Sequence, residues 1–139
     1  MKISTKGRYA LRMMLDMAQH QERGAVALKD VAARQNISKK YLEQIALVLS
    51  QAGMLQGTRG HQGGYRLISD PKECTVYTIL ECVEGSMHPV ACLDHLPNDC
   101  ERCNGCETLS VWQGLDEVIQ TYLKGITLQD VLDKMHHHE

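Results

Sequence analysis

The sequence has no phenylalanine and a single tryptophan, Trp112, among 139 residues. That scarcity excludes a core filled by large aromatic rings, and leaves the filling role to seven methionines. Also missing is any apolar run near the roughly 20 residues a membrane span needs. No basic-then-apolar segment opens the chain, so a cytoplasmic protein with no membrane partner is expected. There is no internal repeat and no low-complexity stretch. Nor is there a nucleophile–base pair or a phosphate-cradling glycine motif, and an enzyme is not expected. The 43% hydrophobic and 23% charged composition is ordinary for a globular protein. A chain of this length buries roughly 70% of its unfolded surface, so no disulfide staple is required.

The net charge of −2 conceals two opposite halves. Residues 1–66 carry eleven Lys/Arg against four Asp/Glu, a net +7. Residues 67–139 carry four against thirteen, a net −9. A basic half facing an acidic half across a dimer would give the same asymmetry. A polyanion partner for the first half fits better, because that half also carries a motif.

The motif begins with helical spacing. Ser4 and Thr5 can cap a helix whose apolar positions Tyr9, Met13, Met14, Met17 and Ala18 share a face. Gln21 to Gly24 ends it. Leu28 to Arg34 forms a short helix with Leu28, Val31 and Ala32 on one side. Gln35-Asn36-Ile37 then turns, and Ser38 caps a further helix with Tyr41, Leu42, Ile45, Leu49 and Ala52 inward, stopped by Gly53. Two short helices joined by a tight turn make a helix-turn-helix. Met54–Thr58 and Tyr65–Ile68 read as paired strands around the glycine-rich tip Arg59-Gly60-His61-Gln62-Gly63-Gly64. A hairpin directly after a helix-turn-helix is a wing. Thr75 opens another helix ending near Gly85. After an aperiodic stretch, 86–106, a helix from Thr108 to Lys124 lines up Leu109, Trp112, Leu115, Ile119, Tyr122 and Leu123. A last helix, Leu128 to Met135, would be capped by Thr127 with Asp130.

The helix after Ser38 is the expected DNA-reading helix. Its candidate contacts are Ser38, Lys39, Lys40, Tyr41, Glu43 and Gln44. Lysines and the serine hydroxyl suit phosphates, Gln44 can pair bidentately with adenine, and Glu43 can accept from cytosine. Arg59, with His61 beside it, suits a narrow minor groove, where neighbouring glycines allow close approach. Lysines and an arginine alone would be no more than a solvated face. Together with the helix-turn-helix, the wing and the +7 half, they indicate DNA. Such modules commonly dimerise on palindromic duplex operators, and the 108–124 stripe could serve either a dimer or its own core.

Four of the six cysteines lie close together, as Cys92, Cys100, Cys103 and Cys106. Structural disulfides are not expected in the cytoplasm, and clustered thiolates point to a soft metal. Zinc prefers two separated C-x2-C knuckles, of which only half is present. Iron–sulfur clusters accept less regular spacing, and redox thiols are a third option. Cys82 lies on an apolar helical face and is expected to be a core thiol.

Met1-Lys2-Ile3-Ser4-Thr5-Lys6-Gly7-Arg8-Tyr9-Ala10, Ile37-Ser38-Lys39-Lys40-Tyr41-Leu42-Glu43-Gln44, the wing Arg59 to Tyr65 and Ile126-Thr127-Leu128-Gln129-Asp130 resemble one bacterial family. It is the winged-helix regulator family that includes IscR, NsrR, CymR and RirA. The resemblance covers nearly the whole chain. It implies a homodimer built on the helix after the cysteine loop, and a cluster that senses cluster supply, iron, nitric oxide or redox state. CymR-like members lack the loop cysteines, so the chain looks more like the IscR-like branch, and the implied cofactor is a [2Fe-2S] cluster. The family's three-cysteine pattern maps onto Cys92, Cys100 and Cys106. The histidine that follows the last cysteine by three residues in some members is Leu109 here. Candidates for a fourth ligand are Cys103, Glu43, Glu107, His95 and His88.

The expected fold is mainly α with a small β-hairpin. A winged helix-turn-helix unit, 1–85, precedes a cysteine-rich loop, 86–107, and a dimerisation helix with a short terminal helix, 108–135. The expected function is a DNA-binding regulator that senses an iron–sulfur cluster and controls cluster-biogenesis genes. The alternatives are a nitric-oxide or iron sensor on the same fold, and a zinc-stabilised protein-interaction module.

Overall fold

Helix capping sets the frame from the first residues onward. In a computed structural model that describes residues 2–94 and 105–137, the Ser4 hydroxyl accepts the Gly7 amide at 3.0 Å and opens α1 (Thr5–His20). Ala10, Met13, Met14 and Met17 are fully buried along one side of α1. A 3-10 turn, Gln21–Arg23, ends it. Val26 then bridges to Tyr65 before α2 (Leu28–Gln35) begins.

Asn36 follows α2 in the left-handed conformation, φ 53°, where its amide still reaches the Ala32 carbonyl. Ile37 is buried, and the Ser38 hydroxyl accepts the Tyr41 amide at 3.2 Å to start α3 (Lys39–Gln51). Leu42, Ile45, Ala46 and Leu49 face inward. Ala52 does not: α3 stops one residue before it and the chain swings away through Gly53, φ 79°, leaving Ala52 exposed.

The wing pairs β1 (Leu55–Thr58) antiparallel with β2 (Gly64–Leu67), Leu55 opposite Leu67. Those two leucines are buried, whereas Gln56 and Arg66 point to solvent, the alternation a half-covered hairpin needs. Met54 and Ile68 fall just outside the strands but still share a backbone bond of 3.1 Å. Thr75 caps α4 (Val76–Glu84), accepting the Thr78 amide at 3.1 Å.

After the cysteine segment come α5 (Leu109–Lys124) and α6 (Leu128–His137). The expected capping box is present: Asp130 accepts the Thr127 amide at 3.0 Å and the Thr127 hydroxyl accepts the Asp130 amide at 3.1 Å. Leu128 and Leu132 seat α6 in the core, against α1. That core holds Met13, Met14, Met17, Leu42, Ile45, Leu49 and Ile79; thioethers do the packing that rings would do elsewhere. A smaller cluster gathers Val76, Tyr77, Leu80 and Met87, with Leu123 packed on it.

Helix α5 leans on α4 and buries none of its residues. The expected stripe divides. Leu109, Ile119 and Leu123 are half-buried, while Trp112, Leu115 and Tyr122 are exposed together with Val111 and Val118. The outward apolar face is therefore rotated from the sequence expectation, because Leu123 turns toward the small cluster.

Candidate DNA interface and cysteine loop

The capping serine aims the reading helix outward by its first turn. Lys39, Lys40, Glu43 and Gln44 are exposed on α3. Ser38 spends an oxygen lone pair on its cap, and its hydroxyl proton can still be donated to a phosphate. Lys39 Nζ lies 3.8 Å from Glu43 Oε1, with the side chains 59% and 54% exposed, an ion pair that water weakens. Tyr41 sits differently. It is half-buried, its ring edge-on to Tyr9 with centroids 5.6 Å apart, so it anchors the start of α3 on α1.

Arg59 and His61 are exposed at the wing tip. The backbone geometry explains the glycines around them. Gly60 adopts φ 108°, and a Cβ on Gly63 or Gly64 would come within 2.5 Å of the Thr58 carbonyl or 2.2 Å of the Val26 carbonyl. At the wing's base a cleft of about 590 Å³ is lined by His20, Arg23, Lys29 and Arg34, and reaches His61. Arg23, Lys29 and Arg34 extend the basic face beyond α3, with Asp30 on the same rim.

Beneath this face lies a polar network that the sequence reading missed. Asp16, on the buried side of α1, accepts Arg34 Nη2 at 2.6 Å, Arg34 Nε at 3.0 Å and Gln35 Nε2 at 3.0 Å. Burial pushes its carboxyl pKa up, but the hydrogen bonds from Arg34 and Gln35 and the charges of Arg34 and His20 outweigh that and hold it below the ordinary value. Arg12 donates to the Gln35 side chain at 3.1 Å and to its backbone carbonyl, and lies 5.3 Å from the centre of the Tyr9 ring. From Asp16 to Tyr41, one set of contacts ties the helix-turn-helix to α1. A signal was available: a carboxylate between Met13, Met14 and Met17 at core spacing cannot be buried without a cationic partner.

The cysteine segment leaves α4 at Gly85. Glu84 is fastened to the start of α1, where it accepts the Ser4 amide at 2.9 Å and the Ser4 hydroxyl at 2.6 Å. Cys92 lies in a 3-10 turn, Ala91–Leu93, as a half-buried free thiol. Cys106 is half-buried too, its Sγ 3.5 Å from Thr108 Oγ1 just before α5. Glu107 is exposed. Cys100, Cys103 and His95 lie outside the described residues. Among those described, no three metal-type donors converge, but two half-buried cysteines framing the segment are donors that a soft metal takes. Cys82 is half-buried rather than enclosed, with its Sγ 4.0 Å from the Val48 carbonyl. Cys74 is buried, which pushes its thiol up to about 11 and makes it unreactive.

A reading helix with exposed cations, a glycine-tipped wing and an α1 platform define a winged helix-turn-helix transcription regulator. The chain belongs to the Rrf2 family, described as iron-dependent transcriptional regulators, whose pattern matches residues 3–134. It is 39% identical over 132 residues to the HTH-type transcriptional regulator IscR of Aliivibrio salmonicida, covering 95% of this chain and 77% of that one. The IscR of Vibrio cholerae is 36% identical over 132 residues, covering 95% of this chain and 75% of that one. Among solved structures, T. potens IscR superposes with a TM-score of 0.81 at 37% identity, covering 100% of this chain and 91% of that one. CymR, the global cysteine regulator of B. subtilis, gives 0.80 at 34% identity, covering 96% and 98%. These relatives are transcription regulators and not enzymes. No helix among the described residues is long and apolar enough to cross a membrane.

Proposed function

We propose that this chain is a cytoplasmic, homodimeric regulator whose occupancy by an iron–sulfur cluster controls which operators it binds, those of cluster-biogenesis genes among them. Kinship to IscR implies iron–sulfur binding in general, and [2Fe-2S] is the type this reading adopts. Residues 1–85 read palindromic DNA through Ser38, Lys39, Lys40, Glu43 and Gln44, with Arg59 and His61 of the wing in the adjoining minor groove and Tyr41 steadying the helix. Residues 86–107 hold the cluster through Cys92, Cys100 and Cys106. Residues 108–135 pair two copies, and the exposed row Val111, Leu115, Val118 and Tyr122 supports this, because water-facing apolar side chains at that spacing gain most by meeting a second copy.

The observation that carries the reading is the pair of half-buried cysteines, Cys92 and Cys106, framing a segment between the DNA-reading unit and α5. Thiolates supply the cluster's sulfur ligation, and α4 and α5 on either side give the segment two routes to the rest of the fold. The test is the visible absorption and metal content of protein purified without oxygen. Colour with iron and sulfide in similar amounts is expected. Stoichiometric zinc without iron would replace this reading with the zinc-stabilised interaction module.

A further inference from the structure

The cleft at the wing's base joins the two parts of the fold that enter DNA grooves. Its floor is the chain between α1 and α2. Gly24, at φ 115°, turns that chain out of the 3-10 turn. Val26 then pairs with the wing: its amide donates to the Tyr65 carbonyl at 2.8 Å, and its carbonyl accepts the Tyr65 amide at 2.9 Å. One wall is α2, with Lys29 and Arg34, and the other is the wing tip, with His61. The α2 wall runs on through Asn36 into α3, and the wing wall carries Arg59 two residues before His61. In a duplex, a sugar–phosphate strand divides the major groove from the minor. With α3 in one groove and the wing in the next, that strand lies against the surface between them, which is this cleft.

The charges fit such an occupant. Arg23 and Lys29 are exposed, and among the described residues neither takes part in an ion pair. Arg34 gives Nε and Nη2 to Asp16, which holds its guanidinium in place and leaves Nη1 for the cleft. Against these three cations stand two carboxylates, Asp30 on the rim and Asp16 beneath Arg34. A surplus of one positive charge suits a phosphodiester, which carries one negative charge. A phosphate monoester carries about −1.5 to −2 near pH 7 and is matched less well. The opening of about 590 Å³ is some twenty times a water molecule's share of the liquid, about 30 Å³. It takes a phosphate with its flanking sugars, where a bare ion would be held loosely.

We propose that this cleft seats one backbone phosphate of the bound duplex in each subunit, held by Arg23, Lys29 and Arg34 Nη1. The seat rests on the DNA-binding reading and adds a contact that is blind to sequence: it fixes how α3 and the wing are set on the duplex, while α3 does the reading.

The test uses full-length protein and two duplexes of equal length, one selected from random sequence by the wild type and one unrelated. Combined Arg23→Gln and Lys29→Gln should lower affinity for both duplexes by the same factor. The slope of log affinity against log salt should fall by about one per subunit, with thermal unfolding unchanged. Arg34 stays in place, because its loss would strand the buried Asp16. Asp30→Asn should act in the opposite direction and tighten both duplexes alike. Neutral methylphosphonate, placed at one phosphate at a time along the selected duplex, locates the contact. At one position per bound subunit it should weaken the wild type and leave the double variant unaffected. Unchanged affinity and slope in the double variant, a loss confined to the selected duplex, or additive effects at every methylphosphonate position overturns the seat while the DNA reading stands. Unchanged DNA binding together with phosphorus resonance broadening of inorganic phosphate by the wild type alone would overturn it in favour of a free-anion site. Wild-type protein that binds neither duplex overturns the DNA reading, and the seat with it.

Discussion

Asp16 and Arg34 are joined across the α1–α2 junction by contacts of 2.6 and 3.0 Å, with the aspartate only 1% exposed. This pair and Gln35 hold the helix preceding the recognition turn against α1. The orientation of α3 therefore depends on a charge that faces no DNA.

Asp16→Asn should destabilise the protein by about 3 kcal/mol, the low end for breaking a buried pair, because Arg34 is partly exposed. The acid response gives a second check. Asp16 titrates below its ordinary 3.8, so its contribution is fully present above that value and is lost as pH falls through the lower folded value. Urea unfolding from neutral pH down to about pH 3 should show the wild type losing more stability than Asp16→Asn. Parallel losses would show that the pair is not the source.

Gly64→Ala should detach the wing, because its Cβ would sit 2.2 Å from the Val26 carbonyl and force apart the Val26–Tyr65 bridge. The cost is about 1–3 kcal/mol, with helix content by circular dichroism retained. DNA affinity should fall in parallel with Arg59→Ala. For Arg59→Ala the loss should be greatest on narrow, A·T-rich minor grooves, and the slope of log affinity against log salt should drop by about one per lost phosphate contact. An unchanged salt slope and unchanged affinity in both variants would remove the wing from the interface.

Val118→Asp should yield monomers without unfolding the chain, since Val118 is 65% exposed and contributes little to its own core. Trp112→Asp should do the same, and both should lose tight operator binding. Sedimentation decides it: dimers in both variants would place the interface elsewhere.

Glu43→Ala should relax discrimination among operators by about 1–3 kcal/mol per affected base pair. A carboxylate near phosphates is tolerated where cytosine N4 can donate to it and is penalised elsewhere. The Lys39 pair at 3.8 Å is the competing arrangement. Identical relative affinities of wild type and variant across an operator panel would make Glu43 a surface charge only.

The parts legible from sequence are those decided within a few residues. The Ser4 and Ser38 caps, the Thr127–Asp130 box, the methionine stripe of α1 and the wing's glycines each rest on local spacing, and each stands where expected. Partners far apart in sequence were not legible. Asp16 meets Arg34 eighteen residues on, Arg12 meets Gln35 twenty-three on, and His88 meets Asp116 twenty-eight on. Helical periodicity also failed to say which side of α5 its own fold would cover. Apolar residues lie on both sides, and only the packing of Leu123 against the small cluster leaves Val111 and Val118 facing outward. Tyr41 was read both as an inward position and as a DNA contact, and the spacing alone did not show that its ring would meet Tyr9 edge-on.

The central claim is that cluster occupancy changes DNA recognition, and the most direct measurement compares one preparation in two states. Operator affinities of cluster-loaded and apo protein are measured without oxygen at a single salt concentration, on a panel of candidate palindromes. The account predicts that loading changes the ratio of affinities between operators by about tenfold or more, close to 1.4 kcal/mol of coupling. Equal ratios in the two states, with the cluster verified as present, would contradict it.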